Sequence, residues 1–218
     1  MKHIVVAGAT GLIGQQLLKH LTVEHCQHVT ALSRRKINLP HSNQSVLLVD
    51  YSDLTLEPAL DESSVVICAL GTTIKTAGSK KAFAAVDYDM VINLANQALS
   101  KGYKHFVVVS SLGADKPGSN FYLQTKHKME ASLFPLPFTS LTIVRPSLLL
   151  GARGEFRLGE KMGELAAKVF APILKGKLLK YRPIQASKVS NAILTHLKQS
   201  PKGHCVIDNT SLHKLGKG

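Results

Sequence analysis

Tyr122 and Lys126 stand four residues apart, shortly after an apolar run that ends in Ser110-Ser111. At helical pitch that separation puts both side chains on one face. An ammonium group beside a phenol stabilises the phenolate, and the same lysine is within reach of a nucleotide ribose. A phenol so placed exchanges a proton with a carbonyl or an alcohol while hydride moves to or from a nicotinamide. Ser111, or with less support Ser110, is the hydroxyl that would hydrogen-bond the substrate oxygen. Of the five tyrosines, only Tyr122 has a lysine four positions later. Glu130, one further turn along, is read as a helix-surface partner for Lys126.

The chemistry needs a nucleotide, and the amino terminus offers a place for one. Ile4-Val5-Val6-Ala7 reads as a strand that turns at once into Gly8-Ala9-Thr10-Gly11-Leu12-Ile13-Gly14 and a helix over Leu12 to Leu21. Gly8 supplies permissive backbone angles, Gly11 lets the main chain approach a ligand, and Gly14 lets the helix pack closely. The free N–H groups and positive dipole end of that helix favour a pyrophosphate. About 20 residues beyond the glycines, where NAD-binding chains place a carboxylate for the ribose, this chain has Ser33-Arg34-Arg35-Lys36. Guanidinium groups grip a 2′-phosphate bidentately, so NADP(H) is the expected cofactor, with the Ser33 hydroxyl as a further donor.

These groups need a scaffold that gathers strand ends. Val29 to Leu32, Ser45 to Val49, Val65 to Leu70, His105 to Ser110 and Leu141 to Val144 are apolar runs separated by helical stretches. Continuous apolar runs are expected of parallel strands covered on both faces, hence an α/β fold: a Rossmann-type doubly wound parallel sheet whose ligand lies at the carboxyl ends of the strands. That rule adds Asp50, Tyr51, Leu70, Gly71, Thr72 and Ser110 to the expected cofactor contacts. Asp50 reads equally as an acceptor for the adenine amino group or as a turn cap, and Gly71 as a close-approach or an ordinary turn glycine. After Pro146 the pattern becomes less regular and richer in glycine and lysine. A single domain over 1–218 is expected, with roughly 147–185 forming a small carboxyl-terminal substrate lobe carrying Arg153, Phe156, Arg157, Gly159, Lys161 and Pro172, and a final helix over Ser187 to Leu197. Arg153, Arg157 and Lys161 suit a small anionic substrate, and read equally as solvated surface cations.

Composition bounds the alternatives. A chain of 218 residues, 44% apolar, holds one α/β core. No apolar run approaches spanning length and the amino terminus enters the first strand directly, which points away from a membrane and towards the cytoplasm. Cys26, Cys68 and Cys205 are odd in number and widely spaced, and no HExxH occurs, so reduced thiols and no metal site are expected. The net charge of +13 is not concentrated in a run interleaved with aromatics. A dedicated nucleic-acid site is therefore not expected, although long-range charge supports weak, salt-sensitive binding.

Leu70-Gly71-Thr72-Thr73, Lys104-His105-Phe106, Ser110-Ser111 with Gly113-Ala114-Asp115-Lys116, Tyr122-Leu123-Gln124 with Lys126, Arg145-Pro146, and Leu212-His213-Lys214-Leu215-Gly216-Lys217 together resemble the atypical short-chain dehydrogenase/reductases. Within them the likeness is to the branch holding the Tat-interacting-protein-like oxidoreductases and their bacterial relatives. It covers nearly the whole chain. The resemblance implies a Rossmann-type fold, NADPH held by Gly8, Gly11, Gly14, Arg34 and Arg35, and a Ser111, Tyr122, Lys126 triad. Thr10, Leu12, Ile13, Tyr122, Lys126, Arg145 and Pro146 complete the expected cofactor contacts. It implies an oxidoreductase or nucleotide-sugar-epimerase-like enzyme; the alternative is a non-catalytic, NADPH-sensing regulatory protein, and a homo-oligomer is compatible with either. The family's fourth catalytic residue is often an asparagine on the preceding helix, for which Asn93 and Asn96 are both candidates, while Asp87 stands where related epimerases carry asparagine.

Overall fold

The computed structural model describes residues 1–51, 53–117, 120–151 and 176–216. Strands β1 (His3–Ala7), β2 (His28–Ser33), β3 (Gln44–Leu48), β4 (Val65–Cys68), β5 (His105–Val109) and β6 (Ser140–Arg145) coincide with the apolar runs to within a few residues. With β9 (Gly203–Asp208) they form a seven-stranded sheet in the order β3-β2-β1-β4-β5-β6-β9, every neighbouring pair parallel. A two-stranded ribbon, β7 (Leu149–Leu150) with β8 (Ile184–Gln185), lies beside it.

The apolar runs are continuous because both faces of the sheet are covered. Ile4 and Val6 of β1 enter a core with Leu17 of α1 (Leu12–His20), Val189 and Ile193 of α6 (Ala186–Leu197) and Leu212 of α7 (Asn209–Leu215). Val5 and Ala7, pointing the other way, enter a second core with Leu94 of α4 (Met90–Ser100) and Met129 of α5 (Phe121–Leu133). Two short helices, α2 (Ile74–Ala77) and α3 (Lys80–Ala84), precede α4, and a π-helical turn over Ala85–Asp89 joins α3 to it.

Register brings the chemistry to one edge. Ala7 of β1 lies opposite Leu32 and Cys68, and Val109 of β5 opposite Val144. The glycine turn, Ser33-Arg34, Ala69-Leu70, Ser110-Ser111 and Pro146 therefore all leave the sheet at its carboxyl end. The strand order reverses between β1 and β4, the switch point at which open α/β sheets bind ligands.

The seventh strand was not expected. Gly203-His204-Cys205-Val206-Ile207-Asp208 sits on the sheet edge with most of its residues exposed or half-buried, so its apolar stretch is limited to Cys205-Val206-Ile207. Cys26 and Cys68 are buried and free, and burial pushes the Cys68 thiol up to about 12, which leaves it unreactive near neutral pH. Among the described residues no helix is long and apolar enough to cross a membrane, and no cluster of His, Cys, Asp and Glu is arranged to hold a metal. Most of the expected substrate lobe, with Arg153, Phe156, Arg157, Gly159, Lys161 and Pro172, lies outside the described residues.

Candidate active site

Gly8 has φ +81°, a left-handed conformation that side chains rarely adopt, and a Cβ there would overlap the Ala69 carbonyl at the end of β4. Gly14 is pressed in turn against Gly8, whose carbonyl a Cβ at 14 would strike. Gly11 is the residue left facing outward. It precedes α1 with no side chain capping that helix, so the N–H groups of the first turn are not taken up by a capping side chain. The glycines thus form a cradle that a side chain would fill, and it fits a dinucleotide pyrophosphate.

From this cradle a crevice runs both ways. One cavity of about 450 Å³ is lined by Gly8, Thr10, Gly11, Leu32, Ser33, Arg34, Tyr51, Leu70, Gly71 and Thr72, among others. A second of about 470 Å³ is lined by Gly11, Leu12, Ile13, Leu70, Gly71, Thr72, Asp87, Ser110, Ser111, Tyr122, Lys126 and Pro146, among others. Gly11 and the stretch from Ala69 to Thr72 belong to both, so the two are halves of one groove, on the scale of the two halves of a dinucleotide.

Helix α5 presents Tyr122 and Lys126 to the second cavity. Its first turn is fixed by Asn120, whose side chain accepts from Leu123 N at 2.9 Å, and Tyr122 is its second residue. The Tyr122 ring rests on Phe83, with centroids 5.7 Å apart, and Phe83 is fully buried. Lys126 is only 3% exposed and pairs with Asp87 at 2.8 Å. Burial pulls the Lys126 pKa down, but the Asp87 carboxylate and the neighbouring Tyr122 outweigh it and hold the group above the ordinary lysine range. The second Asp87 oxygen accepts from Thr72 N at 2.8 Å, so one carboxylate joins α5 to the loop after β4.

The two serines divide their work. Ser110 Oγ donates to Glu130 Oε1 at 2.5 Å and is buried. Ser111 is half-buried on the cavity wall, its hydroxyl making only a long 3.4 Å bond to the next carbonyl. Ser111 is therefore the hydroxyl with capacity for a substrate oxygen.

Several expected contacts fall elsewhere. Glu130 does not pair with Lys126: it is 2% exposed and grips Arg145 at 2.5 to 3.2 Å through Nε and Nη2, because each buried charge of α5 finds its partner across an element boundary. Arg145 is spent on that pair, is not among the residues lining either cavity, and has its pKa raised by the hydrogen bond from its guanidinium to Glu130. Ser33 lines the crevice, but its hydroxyl donates to the Arg35 carbonyl at 2.7 Å, so its proton belongs to its own turn. All three cations there are exposed, and of them Arg34 alone lines the cavity. Asp50 is outside the wall, whereas Tyr51 is on it. Asn93 donates to the Tyr51 carbonyl at 3.3 Å and steadies that loop, and Asn96 is exposed. It is Asp87, not either asparagine, that pairs with Lys126.

Glu130→Ala leaves the Arg145 guanidinium and Ser110 without their acceptor. The expected cost is about 3 kcal/mol, as for a buried pair broken on one side. Urea unfolding reads it as a lower midpoint at unchanged slope.

Residues 8–167 match the NAD(P)H-binding family. The chain belongs to that family. Its relatives include the rat protein HTATIP2, 35% identical over 99% of this chain and 90% of that protein. The mitochondrial protein FMP52 of Candida albicans is 30% identical over 91% of this chain and 89% of its own length. Solved structures share the fold at low identity. Human epimerase family protein SDR39U1 with NADPH superposes with a TM-score of 0.65 at 17% identity, covering 96% of this chain and 77% of that one. MoeE5 with UDP-glucose and NAD gives 0.67 at 16%, covering 94% and 75%. This member of the NAD(P)H-binding family thus has fold neighbours holding either nucleotide.

Proposed function

We propose that the protein is an NADP(H)-dependent oxidoreductase or epimerase-like enzyme that moves hydride between a nicotinamide and a small-molecule substrate. The observation that carries this reading is that Ser111, Tyr122 and Lys126 share one cavity wall, continuous with the glycine cradle. When bound, the nicotinamide supplies or accepts the hydride. Tyr122 then gives its phenolic proton to a carbonyl oxygen during reduction, or takes it from an alcohol during oxidation. Ser111 donates a hydrogen bond to the same oxygen, and the Lys126 ammonium stabilises the phenolate that Tyr122 becomes. Reduction of carbonyls with C4-deuterated NADPH tests this directly: deuterium in an alcohol product supports it. Tight cofactor binding with no transfer to any member of a carbonyl and nucleotide-sugar panel favours the regulatory alternative.

The choice of NADP(H) rests on Arg34 at the adenosine end, in the place where NAD-binding chains carry a carboxylate. Arg34→Ala is expected to weaken NADPH about 10- to 100-fold, the worth of a hydrogen bond to a charged group, and to leave NADH nearly unchanged. Equal losses for the two cofactors, measured by titration of cofactor fluorescence, would remove Arg34 from the 2′-phosphate. The reading includes a cytoplasmic location, although the yeast relatives are named mitochondrial; fractionation of the source cells tests it.

A further inference from the structure

The carboxylate beside Lys126 does more than fill space. Asp87 is 1% exposed and lies in the π-helical turn Ala85–Asp89, which interrupts an otherwise continuous helical run from Lys80 to Ser100. Single π turns recur at functional sites because they re-aim side chains. Here the turn carries Asp87 to Lys126 Nζ at 2.8 Å and to Thr72 N at 2.8 Å. We propose that Asp87 is a positioning residue, tethering the nucleotide loop at Thr72 to Lys126 and supplying the counter-charge that keeps Lys126 cationic beside Tyr122. The functional consequence rests on the oxidoreductase reading; the tether and the counter-charge do not.

The groups facing Lys126 define what happens when that charge is removed. They are Asp87 from the π turn, Tyr122 from its own helix, and the Cys68 thiol from the end of β4, which burial keeps protonated. Glu130, one turn further along α5, is committed to Arg145 and Ser110. Asp87 is thus the one carboxylate among these groups that compensates the lysine. Asp87→Asn keeps the shape, but its amide can accept from Thr72 only by turning its NH2 towards Nζ, an arrangement that suits a neutral lysine. With the carboxylate gone, only the Tyr122 and Cys68 side chains are left to offset the burial of Lys126, and burial favours the neutral amine.

The sign of the resulting pH dependence follows. A lysine whose folded-state pKa is depressed binds fewer protons folded than unfolded, so stability rises with pH up to the unfolded lysine value of about 10.4. The test is urea unfolding of the ligand-free protein between roughly pH 6.5 and 9.5 for wild type, Asp87→Asn and the double variant Asp87→Asn/Lys126→Met. The single variant should be destabilised most at the acid end and regain up to about tenfold in its folding constant per pH unit relative to wild type. The double variant, with no charge to lose, should run parallel to wild type and keeps the comparison valid if the single variant folds poorly. A single variant parallel to wild type across the range would overturn the counter-charge. For the tether, Asp87→Ala should accelerate hydrogen exchange at the Thr72 amide, and unchanged exchange there would overturn it. None of these measurements needs turnover, so an intact pH effect in a protein that transfers no hydride would count against the enzyme reading alone.

Discussion

Tyr122→Phe should leave NADPH binding within about twofold of wild type and lower kcat/KM for carbonyl reduction by about 10²- to 10⁴-fold, the contribution of a positioned proton donor. The substitution deletes one oxygen and keeps the ring that rests on Phe83, so α5 and its ion pairs are undisturbed. The loss should appear in kcat more than in KM, because the proton is transferred at the transition state and not on binding. Unchanged rates across a carbonyl and nucleotide-sugar panel would remove Tyr122 from the chemistry. A matching loss of NADPH affinity would instead make it chiefly a cofactor contact.

Gly14→Ala should have the largest effect on the scaffold. A Cβ at position 14 would press on the Gly8 carbonyl and on the Ala9 Cα, both backbone atoms, with no flexible side chain available to move aside. The turn and α1 must separate to admit it, at an expected cost of about 3 kcal/mol, the upper end for overpacking. Because the turn and the first N–H groups of α1 are the cradle proposed to hold the pyrophosphate, cofactor affinity should fall with stability. Thermal unfolding with and without NADPH reads both: a lower Tm, and little further rise on adding cofactor. A variant as stable as wild type that binds NADPH normally would show that the close Gly8–Gly14 approach is not needed to shape the site.

Much of this molecule is legible in order along the chain, because parallel strands buried on both faces declare themselves as apolar runs. Val65 to Cys68 and His105 to Val109 are such runs, and the glycine turn announces the cradle next to them. The Tyr122-Lys126 spacing is equally local, and one helix satisfies it. The rest depends on distances between elements. Lys126 has Glu130 on its own helix face, yet pairs with Asp87 from a π turn that no composition marks. Glu130 instead reaches Arg145, the last residue of β6, an expected cofactor contact that lines neither cavity. The Ser33 hydroxyl lines the crevice but is engaged locally, closing a two-residue turn on the Arg35 carbonyl. Strand β9 escaped because an edge strand need not be apolar.

The nucleotide crevice and the choice of NADP(H) are tested together by one titration of the purified, ligand-free protein. The chain has no tryptophan, so the emission of the reduced nicotinamide itself is followed as NADPH and, separately, NADH are titrated. Saturable binding with NADPH at least tenfold tighter than NADH is the expected result, and it would justify the hydride-transfer experiment with wild type and Tyr122→Phe. Binding of neither cofactor would contradict the reading of the glycine cradle as a dinucleotide site and move the basic surface and its partners to the front.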